Sequence, residues 1–341
     1  MQLEKFKPLQ NDVIFVDGLW GTGKSILGPI LSGMEGVEKQ KMAEIFEYVC
    51  ILHYLGKISD DAAATLLLTY ADIHQYHNFI GREVNLRWTD ASGPMANPNG
   101  FRYFKRLIGG EGEEFIDKIN LDNIALTIMS HQILPISLMP FKIFGKRLRF
   151  IEMVRHPIYI VTHWTSYLNR FLSTKEFTLS FNLNNTKVPW FASEMGKEYL
   201  ETTEMDRALM SISYMYKRLF AVLDTLKGSD QLFVLSFESV VFDTASIMGK
   251  LEIFLNRRHH KKLNKLLRIQ KIPRDTIMLG TGFNSYGWKQ QDSLLSEKEF
   301  YLKQLDSIQK NVTEKTFTEF QSLIHEYNRR WPSRIEELHP R

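Results

Sequence analysis

Apolar residues in this chain follow two rhythms. Short, mainly apolar runs rich in β-branched and aromatic residues occur at Val13 to Val16, Ile124 to Met129, Leu148 to Val154 and Gln231 to Phe237. Runs this short and this β-rich predict buried strands rather than helices. The last three end in polar residues, at Ser130-His131, Arg155-His156-Pro157 and Glu238. Between the runs the apolar positions recur at helical spacing. Met42, Ile45, Phe46, Val49, Leu52 and Leu55 mark one such stretch inside a helix-rich region from about Lys39 to Asn78, and Asp60-Asp61 open another over Ala62 to Tyr76. Further helices are predicted over Glu201 to Lys227, Thr244 to Asn256 and Glu297 to Arg330. Apolar strands separated by helical crossovers predict an α/β fold with a parallel sheet covered by helices on both faces.

The first run leads into Gly18-Leu-Trp-Gly-Thr-Gly-Lys-Ser25, which fits G-x-x-x-x-G-K-[ST] in full. Glycines lacking Cβ let backbone N–H groups converge on a phosphate, the helix expected over Ile26 to Leu31 turns its positive end toward it, and Lys24 adds a mobile charge. Pro29 falls in the first turns of that helix, where a missing N–H costs least. The expectation is therefore a single P-loop-type domain over residues 1–341 that binds a phosphate-bearing nucleotide. Its core runs from about 12 to 290, with helix-rich insertions and a C-terminal helical extension over about 291–341. No linker, internal repeat or low-complexity tract divides it.

In such sheets ligands sit beyond the carboxyl ends of the strands, which brings Lys24, His131, Arg155 and Glu238 toward one crevice. A guanidinium at a strand end suits a phosphate, and it equally suits a surface salt bridge. A histidine there suits general-base work, and it equally suits a structural hydrogen bond. The aromatics Trp164, Tyr167 and Phe171 have helical spacing and read as core. From Gly81 to Gly100 the pattern breaks into a long irregular loop carrying Arg82, Arg87 and Asp90, either facing an acceptor or tying itself down.

Composition narrows the classes. With 43 Lys plus Arg against 39 Asp plus Glu, the net charge of +4 suits small anions and does not predict a surface for nucleic acid. The one cysteine, Cys50, lies in an apolar run and allows neither an intrachain disulfide nor a cysteine-rich metal site. His, Asp and Glu show no metal-ligand spacing, so no metal is expected. The first residues lack a signal-peptide core and no window is apolar enough to span a bilayer, so the default expectation is a cytoplasmic protein.

The order of the glycine-rich loop, Ser130-His-Gln-Ile-Leu-Pro-Ile-Ser-Leu-Met-Pro140 and Phe150-Ile-Glu-Met-Val-Arg-His-Pro157 resembles the sulfotransferases that use 3'-phosphoadenosine 5'-phosphosulfate (PAPS). Phe233-Val-Leu-Ser-Phe-Glu-Ser-Val-Val-Phe-Asp243 and Tyr286-Gly-Trp-Lys289 extend the likeness, which spans about 12 to 290. The resemblance implies that Gly21, Thr22, Gly23, Lys24 and Ser25 hold the 5'-phosphosulfate and that Lys24 stabilises the leaving phosphate. It places Arg155 on the 3'-phosphate, with His163 where the family has a serine. Trp288 and Lys289 match the family's late loop, although its Arg-Lys-Gly element is missing and only backbone around Gly280 and Gly282 stands in its place. His131 falls at the family's general base, in a segment that lacks the usual preceding lysine and carries two extra residues. Other branches use a glutamate soon after the loop, so Glu38, Glu44 and Glu47 are also candidates. Glu238 matches an acidic residue that orders the site. The acceptor implied is a small-molecule, carbohydrate or lipid hydroxyl. The alternative is a P-loop kinase using ATP, which the full Lys24-Ser25 ending suits and which needs a strand-end acid for its metal.

Overall fold

The computed structural model describes residues 2–87, 90, 92–96, 100–171, 173, 177–260, 262–277 and 295–332. Its strands are β1 (Val13–Gly18), β2 (Lys41–Met42), β3 (Leu126–Met129), β4 (Leu148–Val154), β5 (Ser180–Leu183), β6 (Thr186–Pro189) and β7 (Leu232–Ser236). Five of them form a parallel sheet in the order β2-β3-β1-β4-β7, while β5 and β6 make a separate antiparallel hairpin. Alternate residues of the sheet feed two cores. Val13, Phe15, Ile128 and Phe150 enter one, and Ile14, Val16, Met129 and Ile151 enter the other. The fold class read from the short apolar runs is the one observed: a central parallel sheet with helices on both faces.

The chain leaves β1 for one side of the sheet, building β2 and β3, and then crosses to the other side for β4 and β7. Such a reversal opens a crevice beyond the carboxyl ends of β1, β3 and β4.

Several elements differ from the sequence expectation. The segment after the glycine-rich turn is a 3-10 turn, Lys24–Ile26, followed by a helix of five residues, Leu27–Leu31, so little helix dipole stands behind the turn. The region from Lys39 opens with β2 before the helices Glu44–Tyr54 and Asp60–Phe79. Two residues carry no periodicity, and only pairing with Ile128 and Met129 defines that strand. The expected helix over Glu297 to Arg330 is two, Glu297–Asn311 and Glu314–Arg330, because Thr313 caps the second through Thr316 N while its own N–H donates to Asp206. Among the described residues no helix is long and apolar enough to cross a membrane.

Candidate active site

Glycine is required in the turn after β1 for steric reasons. Gly23 has φ +89°, and a Cβ there would lie 2.3 Å from the Phe237 ring. Gly21 has φ +86° and packs against His163, whose Cβ would sit 3.2 Å from an added methyl. Thr22 donates its hydroxyl to Leu19 O at 2.8 Å, so its side chain is spent inside the turn, and Ser25 is exposed. Thr22 and Ile26 use their backbone N–H groups on Leu19 O and Gly23 O. Those of Gly21, Gly23 and Lys24 make no such bond among the described residues, leaving donors for an anion.

Lys24 is buried, its ammonium donating to Gly18 O at 2.7 Å and Leu19 O at 2.8 Å. Burial pulls it down to about 8 against the opposing fields of Asp17, Glu152 and Glu47. Asp17 and Glu152 face each other across β1 and β4, both fully buried. Asp17 accepts from Ser130 Oγ, Ile133 N and Leu134 N at 3.0, 2.8 and 2.9 Å. Neither oxygen of Glu152 has a partner among the described residues, and burial followed by Asp17 raises its carboxyl well above the usual range. Adjacent carboxyls share a proton, and hydrogen bonds favour the charged form of the one that receives them. Burial raises Asp17 as well, opposed by Lys24 and by its hydrogen bonds, so of the two carboxyls Glu152, with no such bonds, is the one that holds a proton more readily.

Beyond β3 the chain turns sharply at Gln132, a non-glycine residue at φ +61°, and leaves His131 at the rim. Glu47, in the helix that follows β2, accepts both the backbone N–H and ring Nδ1 of His131 on one oxygen, each at 2.9 Å. Of the other candidate glutamates, Glu44 is exposed in the first turn of that helix. Glu38 is wholly buried, bonded to Asn78, Tyr103 and Arg106 with Arg102 nearby, and those cations hold its carboxyl below the usual range despite burial. It is a structural ion cluster.

Beyond β4, Arg155 is not a surface salt bridge. It is half-buried, donates to Gly21 O at 3.0 Å, lies 4.1 Å over the Phe237 ring and has a buried Nε with no partner among the described residues. Burial lowers its guanidinium below its ordinary value, opposed by Glu238. Arg274 approaches the same ring at 5.8 Å and is pulled down to about 10 by burial and by Arg155. His163 stands beside Gly21 and is pulled down to about 3, chiefly by burial and then by Lys24, His131 and Arg155. Its ring is neutral and sits among the three cationic or titratable groups from three strand ends. Glu238 accepts from His156 N and from Tyr327 OH, so the last helix buttresses the Arg155 turn.

Sequence reasoning missed Asp17, Glu152, Phe237 and Arg274. A lone charge inside the apolar run Phe150-Ile-Glu-Met-Val was a visible signal for Glu152, whereas Arg274 lies in an irregular segment and has none. Trp288, Lys289, Gly280 and Gly282 lie outside the described residues. The irregular loop ties itself down in part: Asp90 Oδ1 accepts from Ser92 N and Oγ, Asn85 donates to Ser92, and Arg82 pairs with Glu111. Trp164 is core, donating its indole N–H to Trp20 O, and Tyr167 packs on Trp20 with centroids 4.0 Å apart.

No family model and no curated protein matches the chain. Among solved structures it is similar to a sulfotransferase domain from the curacin biosynthetic pathway, at TM-score 0.46 and 12% identity over 94% of this chain and 99% of that one. It is also similar to a sulfotransferase from Mycobacterium avium, at 0.42 and 13% over 96% and 78%. A third is the sulfotransferase domain of the Synechococcus PCC 7002 olefin synthase, at 0.44 and 10% over 96% and 98%.

Proposed function

We propose that the chain is one domain that transfers a sulfuryl group from PAPS to a hydroxyl of an acceptor. The observation that carries this reading is that Lys24, His131 and Arg155 follow the ends of three neighbouring strands, with Arg155 donating to Gly21 O of the glycine-rich turn and Gly21 packed on His163. The residues fit a donor that is anionic at both ends. Gly21, Gly23 and Lys24 offer backbone donors and a charge at one end. Arg155 at the other has a buried Nε unspent among the described residues, and Arg274 adds a second guanidinium against the same ring. His163 stands beside Gly21 at the position where the family has a serine.

The donor supplies a sulfuryl group on a phosphate leaving group. The rest falls to the chain: Lys24 holds positive charge where charge grows on the departing phosphate, and His131 accepts the proton of the acceptor hydroxyl. A kinase would ask a strand-end acid to hold a metal, and Glu238 is already committed to His156 N and Tyr327 OH.

The reading is tested by incubating the protein with PAPS and a metabolite extract and following sulfated products by mass. Products are expected with the wild type and their rate should fall by about 10²–10⁴ in His131→Ala, the usual contribution of a general base. Phosphorylated products formed from ATP, with none from PAPS, would overturn it.

A further inference from the structure

We propose that Glu47 is a positioning residue, which holds His131 in the tautomer protonated on Nδ1 so that a bare Nε2 is turned to the acceptor. The proposal rests on the reading of His131 as the base. Glu47 Oε1 receives two bonds from one residue, the backbone N–H and ring Nδ1 of His131, each 2.9 Å long. Two anchors on a single oxygen fix the torsions between backbone and ring, which one bond cannot do. A carboxylate only accepts, so the ring proton belongs on Nδ1 and the lone pair on Nε2.

The carboxylate is itself well held. Glu47 lies in the first turn of Glu44–Tyr54, whose Phe46, Val49 and Cys50 are buried on either side of it in sequence, so the helix cannot roll without emptying the core. On the partner side, Gln132 at φ +61° bends the chain immediately after His131. His163 lies close enough to His131 to feel its charge and supplies no negative charge itself, while Asp17 accepts from Ile133 N and Leu134 N just beyond His131. Of these carboxylates, Glu47 is the one bonded to the ring itself. Its field also reaches Lys24, so the same side chain looks toward both the base and the leaving-group cation.

A purely structural role, tying the turn after β3 to the helix, would need the same hydrogen bonds and no particular tautomer function. Ring-nitrogen NMR on the full ¹⁵N-labelled chain separates the two, with the His131 signals identified by their loss in His131→Gln. The wild type should show a proton on Nδ1 and none on Nε2. In Glu47→Gln the amide oxygen still accepts, so the tautomer should persist, while kcat for sulfuryl transfer falls about tenfold or more with KM within about twofold. In Glu47→Ala the proton should move to Nε2 in most molecules. A folded Ala variant that keeps the Nδ1 proton overturns the proposal; should that variant not fold, a wild type whose His131 ring proton sits on Nε2 overturns it. Titration of the bisphosphorylated product nucleotide into the same samples reports separately on the sulfotransferase reading. Loss of that binding in the wild type sinks the reading and leaves the tautomer result standing.

Discussion

Asp17 on β1 and Glu152 on β4 share one register across the parallel pair, and both are fully buried beneath the turn that carries Lys24. Because Asp17 gathers three donors and Glu152 none among the described residues, the two are predicted to respond oppositely to substitution. Glu152→Gln replaces a neutral acid by a neutral amide of the same size and should change unfolding free energy by less than about 1 kcal/mol in mildly acid buffer. Asp17→Ala strands the N–H groups of Ile133 and Leu134, each worth ~1–3 kcal/mol when buried unpaired. The pH dependence has a definite sign. Glu152 is raised in the folded state, so the unfolded chain ionises first, and stability present below the ordinary carboxyl range is lost as pH rises toward the folded value. Thermal melts across that range should fall for the wild type relative to Glu152→Gln; parallel curves would show that Glu152 is not the neutral partner.

Lys24 provides a second pH signature. Its ammonium is pulled down to about 8, and binding a phosphate requires the charged form. Affinity for the bisphosphorylated product nucleotide should therefore weaken above about pH 8, by about tenfold per pH unit once the free lysine is neutral. Calorimetry over a pH series checks this, with Lys24→Met as a control that is weak throughout and lacks that slope.

Gly23 is the steric centre of the turn. Alanine there must adopt φ +89° with its methyl 2.3 Å from the Phe237 ring, which costs ~1–2 kcal/mol for the backbone alone and displaces the ring on which Arg155 rests. Gly23→Ala should lower the melting temperature and abolish nucleotide binding. Phe237→Leu in the same background should recover part of the stability by making room.

On the proposed reading Arg155 and Arg274 share the second phosphate unequally. Arg155 is the more deeply buried and touches the glycine-rich turn through Gly21 O, so Arg155→Ala should weaken nucleotide binding by at least tenfold, and Arg155→Lys should not restore it because the fork of donors is lost. Arg274→Ala should cost less, about two- to tenfold, with a shallower dependence of affinity on salt. Binding isotherms at two ionic strengths measure both. Equal affinity for wild type and Arg274→Ala would remove Arg274 from the site.

Much of the fold is legible in the sequence, for reasons specific to a parallel sheet. Strands covered on both faces are mainly apolar, so β1, β3, β4 and β7 stand out as short apolar runs despite Asp17, Arg149 and Glu152, and the residues beyond three of them, His131, Arg155 and Glu238, are marked by position. Strand β2 is invisible because two residues have no pattern and gain their identity from Ile128 and Met129. The β5–β6 hairpin did carry a local signal, Asn184-Asn185, both left-handed at φ +48° and +63°, as a tight two-residue turn requires. The break at Thr313 was a capping residue inside an otherwise helical pattern. Contacts made in space rather than along the chain were beyond reach, among them Glu47 with His131 and Arg274 with Phe237.

The most direct measurement is a paired calorimetric titration of the wild type with 3'-phosphoadenosine 5'-phosphate and with ATP, without added metal and again with magnesium. The account predicts saturable binding of the bisphosphate in both buffers, lost in Arg155→Ala and in Lys24→Ala, with ATP much weaker. Tight, magnesium-dependent ATP binding with none of the bisphosphate would contradict it.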